Sequence, residues 1–189
     1  GMNEVQVLLV GYVRDSAASG TVSLVCTPCG RRILVDVGDP WNGQELKEKL
    51  KGTGLRCEEI TDVVVTHGHI DHCGNLGLFP NARFIMDRDC ARGGEYSALD
   101  GDFILAEGVT IRGFRGHTDR DIVVIVEKTD RGRIVVAGDV FECEGDDESW
   151  RPLSRYPEEH EKARDVVRGI ADCIVPGHGD LFTLHKRDK

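Results

Sequence analysis

Three consecutive valines, Val63 to Val65, run directly into Thr66-His67-Gly68-His69-Ile70-Asp71-His72. A short β-branched run of this kind reads as a buried strand. Here the strand empties into four metal-capable side chains, His67, His69, Asp71 and His72. Such a segment has to end at a surface where other parts of the chain complete the coordination, so the fold must bring distant ligands to one strand end.

Three later segments have the same form: Gly116-His117, Gly138-Asp139 and Pro176-Gly177-His178-Gly179. Each follows a strand-like run. Val5 to Val13 reads as a strand and Arg14 to Gly20 as a polar loop. Thr21 to Cys26 and Arg31 to Val37 read as a hairpin, and its end at Asp36-Val37-Gly38-Asp39-Pro40 suggests a chain leaving the sheet toward a functional face. Asn42 can cap a helix that places Leu46 and Leu50 one turn apart and stops at Gly52 and Gly54. Asp62 to Thr66 is the ligand-delivering strand, Asp71 to Leu78 a short helix stopped by Pro80, and Arg83 to Met86 a strand. Hairpins over Phe103 to Phe114 and Asp121 to Ala137 deliver His117 and Asp139. Glu142 to Arg155 is polar and aperiodic. A helix from Pro157 carries the stripe Ala163, Val166, Val167, Ile170, and the strand Cys173 to Pro176 delivers His178. The pattern divides into two halves, each closing with a helix and a strand. It predicts an α+β fold, a four-layer α/β/β/α sandwich with the ligands at one edge.

His67 and His69 are two residues apart and point to one side of an extended segment, where they can chelate one ion. Asp71 and His72 follow where the chain turns, so they can serve a second ion. His117 is the candidate to complete the first ion, His178 the second, and Asp139 the carboxylate between them. Imidazole nitrogen and carboxylate oxygen suit zinc at about 2.0–2.2 Å. His160 and His185 lie outside this pattern, in a charged helix and a basic tail, and read as solvated. No residue stands out as proton donor to a leaving group. Asp119 is a candidate only by proximity to His117, and reads better as a loop carboxylate.

The chain has 189 residues and a net charge of −9. That length suits one domain, taken here as 2–189 with Gly1 set aside as an expression remnant. The charge argues against a broad nucleic-acid surface, although metal ions would add local positive charge that the count omits. Seven cysteines, an odd number, without a secretory leader point to reduced thiols and a cytoplasmic location, with the nucleus as a second compartment. Cys26-Thr27-Pro28-Cys29 reads as a hairpin turn, and no segment has the length of a membrane span. Trp150 and the acidic run around it are candidates for a partner-facing surface, and a homodimer is one assembly this allows.

The order HxHxDH, then His, then Asp, then His resembles the metallo-β-lactamase superfamily over nearly the whole chain. The resemblance implies that fold, with His67, His69 and His117 on a first metal, Asp71, His72 and His178 on a second, and Asp139 bridging. It implies two zinc ions per chain, with iron or manganese as alternatives, and a metal-bridging hydroxide as nucleophile, with Asp71 and Asp139 as catalytic residues. Zinc β-lactamases usually carry cysteine where this chain has Asp139, which points away from antibiotics. The runs 66–80, 135–142 and 145–150 resemble a branch associated with a zinc-dependent endoribonuclease acting at the 3′ end of histone pre-mRNA. RNA is therefore the substrate implied, with a small-molecule ester or thioester of the glyoxalase II type as the alternative that the acidic charge favours. A mononuclear iron persulfide dioxygenase and a non-catalytic metal-binding scaffold are the remaining readings.

Overall fold

The structure, a computed structural model, describes residues 1–185. The first half contributes β1 (Glu4–Leu9), β2 (Tyr12–Arg14), β3 (Ala17–Ser19), β4 (Val22–Cys26), β5 (Arg32–Val35), helix α1 (Gly43–Gly52), β6 (Asp62–Val65), β7 (Arg83–Met86), β8 (Asp89–Arg92) and β9 (Glu95–Ala98). The second contributes β10 (Phe103–Ala106), β11 (Val109–Phe114), β12 (Asp121–Thr129), β13 (Gly132–Gly138), helix α2 (Pro157–Ile170), β14 (Cys173–Pro176) and β15 (Phe182–Thr183). One sheet has the order β1-β4-β5-β6-β7-β8-β9 and the other β10-β11-β12-β13-β14-β15, with β2 and β3 as a separate ribbon.

Alternation along the strands decides the layers. Val64 faces inward with Ile33 and Ile85, and meets Ile111, Ile122, Val124, Ile134 and Val136 of the other sheet. Val63 and Val65 face outward with Leu34, onto Leu46 and Leu50 of α1. In the second sheet Val123, Val135 and Ile174 face outward onto Ala163 and Val167 of α2. The result is the α/β/β/α sandwich expected, with one helix on each outer face. In each half the helix is the crossover that lets two strands run parallel, β5 with β6 and β13 with β14.

Several local expectations are corrected. β1 ends at Leu9 and does not reach Val13. The backbone N–H of Gly11 is tied to the Thr21 hydroxyl at 2.9 Å, and the chain then makes the β2–β3 ribbon where a loop was expected. No α-helix forms over Asp71 to Leu78. The segment turns, and only Leu76–Leu78 is helical, of the 3₁₀ type. Its backbone is committed elsewhere: Val37 N–H donates to His72 O at 3.0 Å and Gly74 N–H to Gly38 O at 2.8 Å. Asn42 sits at the N-cap of α1 without capping it. Its Oδ1 turns back to accept from the backbone N–H of Asp39 at 3.0 Å.

Trp150 does not face a partner. It is 2 % exposed, stacked under Arg164 and against His160. Of the acidic run around it, Asp146 is likewise buried and receives both Nη atoms of Arg164, at 2.7 and 2.9 Å, while Asp147 and Glu148 stay exposed. Asp146→Ala leaves that guanidinium buried and unpaired and should cost roughly 3–5 kcal/mol. Urea unfolding of the two proteins measures it. A change below about 1 kcal/mol would mean the pair behaves as a solvated one. Among the described residues no helix is long and apolar enough to cross a membrane.

Candidate metal centre

Each ligand-bearing segment leaves the C-terminal end of a strand at the same edge of the sandwich: β6 into His67, β11 into His117, β13 into Asp139 and β14 into His178. Cross-links hold these ends together. Ile122 N–H donates to Thr66 O at 2.7 Å, tying one sheet to the other, and Thr21 N–H donates to Gly177 O at 2.8 Å. Two glycines are required by close approach. A Cβ at Gly177 would lie 1.8 Å from Asp139 Oδ1, and Gly138 takes a φ of 54° with Thr66 packed against it.

The fold brings all the predicted side chains together. Ligand atoms of His67, His69, His117 and Asp139 lie within 4.8 Å of one another, as do those of Asp71, His72 and His178. Asp139 is the hub. Its Oδ2 is 3.5 Å from His67 Nε2, 3.1 Å from His117 Nε2 and 3.2 Å from His178 Nε2, while its Oδ1 is 3.3 Å from His72 Nε2. Asp71 Oδ2 stands 3.5 Å from His72 Nε2 and 3.6 Å from His178 Nε2.

The second ring of contacts decides which nitrogens face the centre. His72 Nδ1 is 2.7 Å from Asp36 Oδ2. His178 Nδ1 is 3.0 Å from Ser19 O and 3.2 Å from Tyr12 O. Thr66 Oγ donates to Asp36 Oδ2 at 2.8 Å and is therefore left to accept from His67 Nδ1, 3.1 Å away. An imidazole that donates through Nδ1 keeps an unprotonated Nε2 for a cation. Asp121 anchors the loop, accepting from His117 N–H at 2.9 Å.

These residues fit a pair of cations. His67 Nε2, His72 Nε2 and Asp139 Oδ1 are buried without a hydrogen-bond partner, a state that costs about 1–3 kcal/mol per group unless a ligand satisfies it. The electrostatics agree. Burial opposes ionisation of Asp139, yet His72, His117 and His178 hold its carboxyl well below the usual range. Burial drives His67 well below the ordinary histidine value. Burial also opposes charging of His178, but Asp139 prevails and pushes it up to about 9. A buried carboxylate among imidazoles thus collects positive charge, and metal ions would displace the protons.

The comparisons decide the family. Residues 16–88 match the family model of the metallo-beta-lactamase superfamily. The Xenopus laevis protein named metallo-beta-lactamase domain-containing protein 1 is 40% identical over 97% of this chain and 83% of its own length. This chain belongs to the metallo-beta-lactamase superfamily. The human protein of the same name is 45% identical over 80% of this chain, which covers 59% of the human length. Among solved structures, a Thermotoga maritima protein described as a metallo-beta-lactamase superposes with a TM-score of 0.75 at 21% identity, covering 97% of this chain and 100% of its own. A dizinc quorum-quenching lactonase in complex with N-hexanoyl-L-homoserine superposes at 0.67 and 15% identity, covering 88% of this chain and 75% of its own. At those identities the likeness is one of fold.

Within this superfamily fold, three residues near the centre escaped sequence reasoning. Asp36 and Asp121 sit beyond the ligands, and Glu142 joins Asp139 and His178 in a further group of close ligand atoms. Burial, followed by the nearby Asp139 charge, raises the Glu142 carboxyl to about 7. Only Asp36 carried a signal, as an aspartate just past a strand. Asp119 is an exposed carboxylate held by Arg155 and Tyr156, and the Tyr156 hydroxyl lowers its pKa, so it is no proton donor at neutral pH.

His160 is not solvated. It is 1 % exposed, with Nδ1 2.8 Å from Ser154 Oγ and Nε2 3.0 Å from Val140 O, and its ring packs on Trp150 at 4.4 Å. The charged helix hid it, because the buried stripe of α2 begins one turn earlier than the aliphatic residues suggest. Burial lowers its pKa to about 4. The unfolded chain, with its histidine near 6.5, binds the proton first. The contribution of neutral His160 is therefore whole above about pH 6.5 and lost as pH falls toward 4. His160→Gln should be less stable than wild type at pH 7, and the gap should narrow by pH 4. Thermal melting across that range checks it, and a constant gap would deny the role of burial.

Proposed function

We propose that this chain is a dinuclear metal-dependent hydrolase. The observation that carries this reading is one buried carboxylate, Asp139, shared by two groups of donors. His67, His69 and His117 would hold the first cation, Asp71, His72 and His178 the second, with Asp139 between them. Zinc suits this donor set, with iron or manganese as alternatives. When bound, such a pair supplies Lewis acidity and ionises water near neutral pH.

The chain's own residues do the rest. Asp139 keeps the imidazoles converged, and Asp36 keeps two of them in the right tautomer. The Asp71 side chain is 20% exposed and so faces both the centre and the solvent, where it can orient an incoming water. Glu142 Oε2 is buried without a partner, 8% of its side chain being exposed, and can hold a proton beside His178. All eight residues of the clustered ligand atoms are thereby assigned.

An RNA phosphodiester is the substrate we favour, and it rests on the resemblance of the runs 66–80, 135–142 and 145–150. A small ester is the second reading, favoured by the net charge of −9. The test is elemental analysis of the purified protein, followed by cleavage assays on single-stranded RNA beside a thioester and lactone panel. Two zinc equivalents with RNA cleavage support the proposal. One iron per chain would point to the persulfide dioxygenase chemistry, and turnover of esters alone would replace RNA.

A further inference from the structure

The loop that carries His117 also carries an arrangement the metal centre does not use. Tyr156 N–H donates to Gly116 O at 2.8 Å, and Arg155 N–H donates to His117 O at 3.3 Å. The segment 155–156 is thus pinned to the backbone of the metal loop. The Arg115 guanidinium lies 5.0 Å from the centre of the Tyr156 ring and the Arg155 guanidinium 5.7 Å. Both arginines are exposed. Arg120 belongs to the same loop and is held with its Nε 3.1 Å from Asp87 O. In a chain of net charge −9, three arginines beside a metal ligand, with Asp119 as the loop's own acid, need a reason.

A guanidinium within about 6 Å of a ring centroid is attracted to the ring face without committing an N–H donor to a hydrogen bond. Guanidinium forks match the oxygens of a phosphodiester. Asp119 already takes one of them, from Arg155 at 3.2 Å, and also takes the Tyr156 hydroxyl. The remaining donors point to a ligand with repeated anionic oxygens and not to a neutral ester.

We infer that Arg115, Tyr156 and Arg155 form a phosphodiester clamp at the rim of the metal centre, which holds the backbone of a single-stranded nucleic acid as it passes His117. The inference deepens the RNA reading above and rests on it. Tyr156 is a positioning residue, since it acts by fixing the two guanidinium groups. The clamp also explains how an acidic protein could take a polyanion: attraction is confined to the rim.

The test is fluorescence anisotropy of metal-loaded protein with a 2′-O-methyl oligonucleotide, whose integrity is checked on a denaturing gel after each titration. Salt is varied, and thermal melting confirms folding of each variant. Two lost phosphate contacts should lower the slope of log affinity against log salt by about 1.4 for a single strand. We expect R115Q/R155Q to bind about tenfold more weakly with that loss of slope. Y156L should weaken binding as well, and Y156F, which keeps the ring but releases Asp119, should weaken it less than Y156L. R155K keeps the charge but loses the fork, and should fall between. Wild-type affinity and slope in R115Q/R155Q would overturn the clamp, as would failure of the wild type to bind. Clamp-dependent binding without cleavage of the corresponding RNA would leave the clamp standing and sink the nuclease reading instead.

Discussion

Asp139→Ala should lose at least one equivalent of metal and more than about a hundredfold in hydrolytic rate, the larger end of what losing a mere supporting partner costs. The substitution removes the one carboxylate that stands within 3.5 Å of His67, His72, His117 and His178. Without it the four imidazoles lose the one buried counter-charge they all share, and any that protonates repels the others. The backbone has little reason to move, because Gly177 and Gly138 already make room at this position. The loss should therefore appear in metal content before it appears in stability. Elemental analysis beside a rate measurement checks it. Full metal content with a normal rate would remove Asp139 from the centre of the site.

The second large effect is expected at a residue that touches no cation. Asp36 has a φ of 64°, a backbone state that asparagine tolerates well, so Asp36→Asn should fold. Asp36 Oδ1 accepts from Thr66 N–H at 2.7 Å, and an amide oxygen can still do so. The other oxygen becomes an NH₂ group facing His72 Nδ1 and Thr66 Oγ, both of which now donate to it. Donor meets donor. His72 can relieve the clash by moving its proton to Nε2, and Thr66 by turning its hydroxyl toward His67, which pushes that ring the same way. Each change closes a nitrogen needed for a cation. Metal affinity should fall about 10–100-fold. Competition with a chelator, followed by metal content, measures this, and a wild-type affinity would show that Asp36 does not set the tautomers.

The two mutations separate what could be read from the chain alone. Asp139 was legible because it follows a buried strand and has a glycine at its side, and the order of ligands along the chain distinguishes this site from a chance group of histidines. Asp36 was only half legible. Nothing in the spacing of Asp36 and His72, 36 positions apart, says that one will fix the other's proton. Glu142 and His160 were not legible at all, since each sits in a stretch whose composition reads as solvated. Their burial follows from the Asp146–Arg164 pair and from Trp150, which pull that stretch inward.

The sequence by itself determined the strands that deliver the ligands, the layers they imply and the ligand types at each strand end. Those depend on local alternation and on side-chain chemistry, which neighbours along the chain carry. Only the tertiary structure decided which nitrogen of each histidine faces the centre, which carboxylates are buried beside it, and that Arg115, Arg155 and Tyr156 gather on its rim. Those depend on hydrogen bonds and desolvation between residues far apart in the chain, and no periodicity records them.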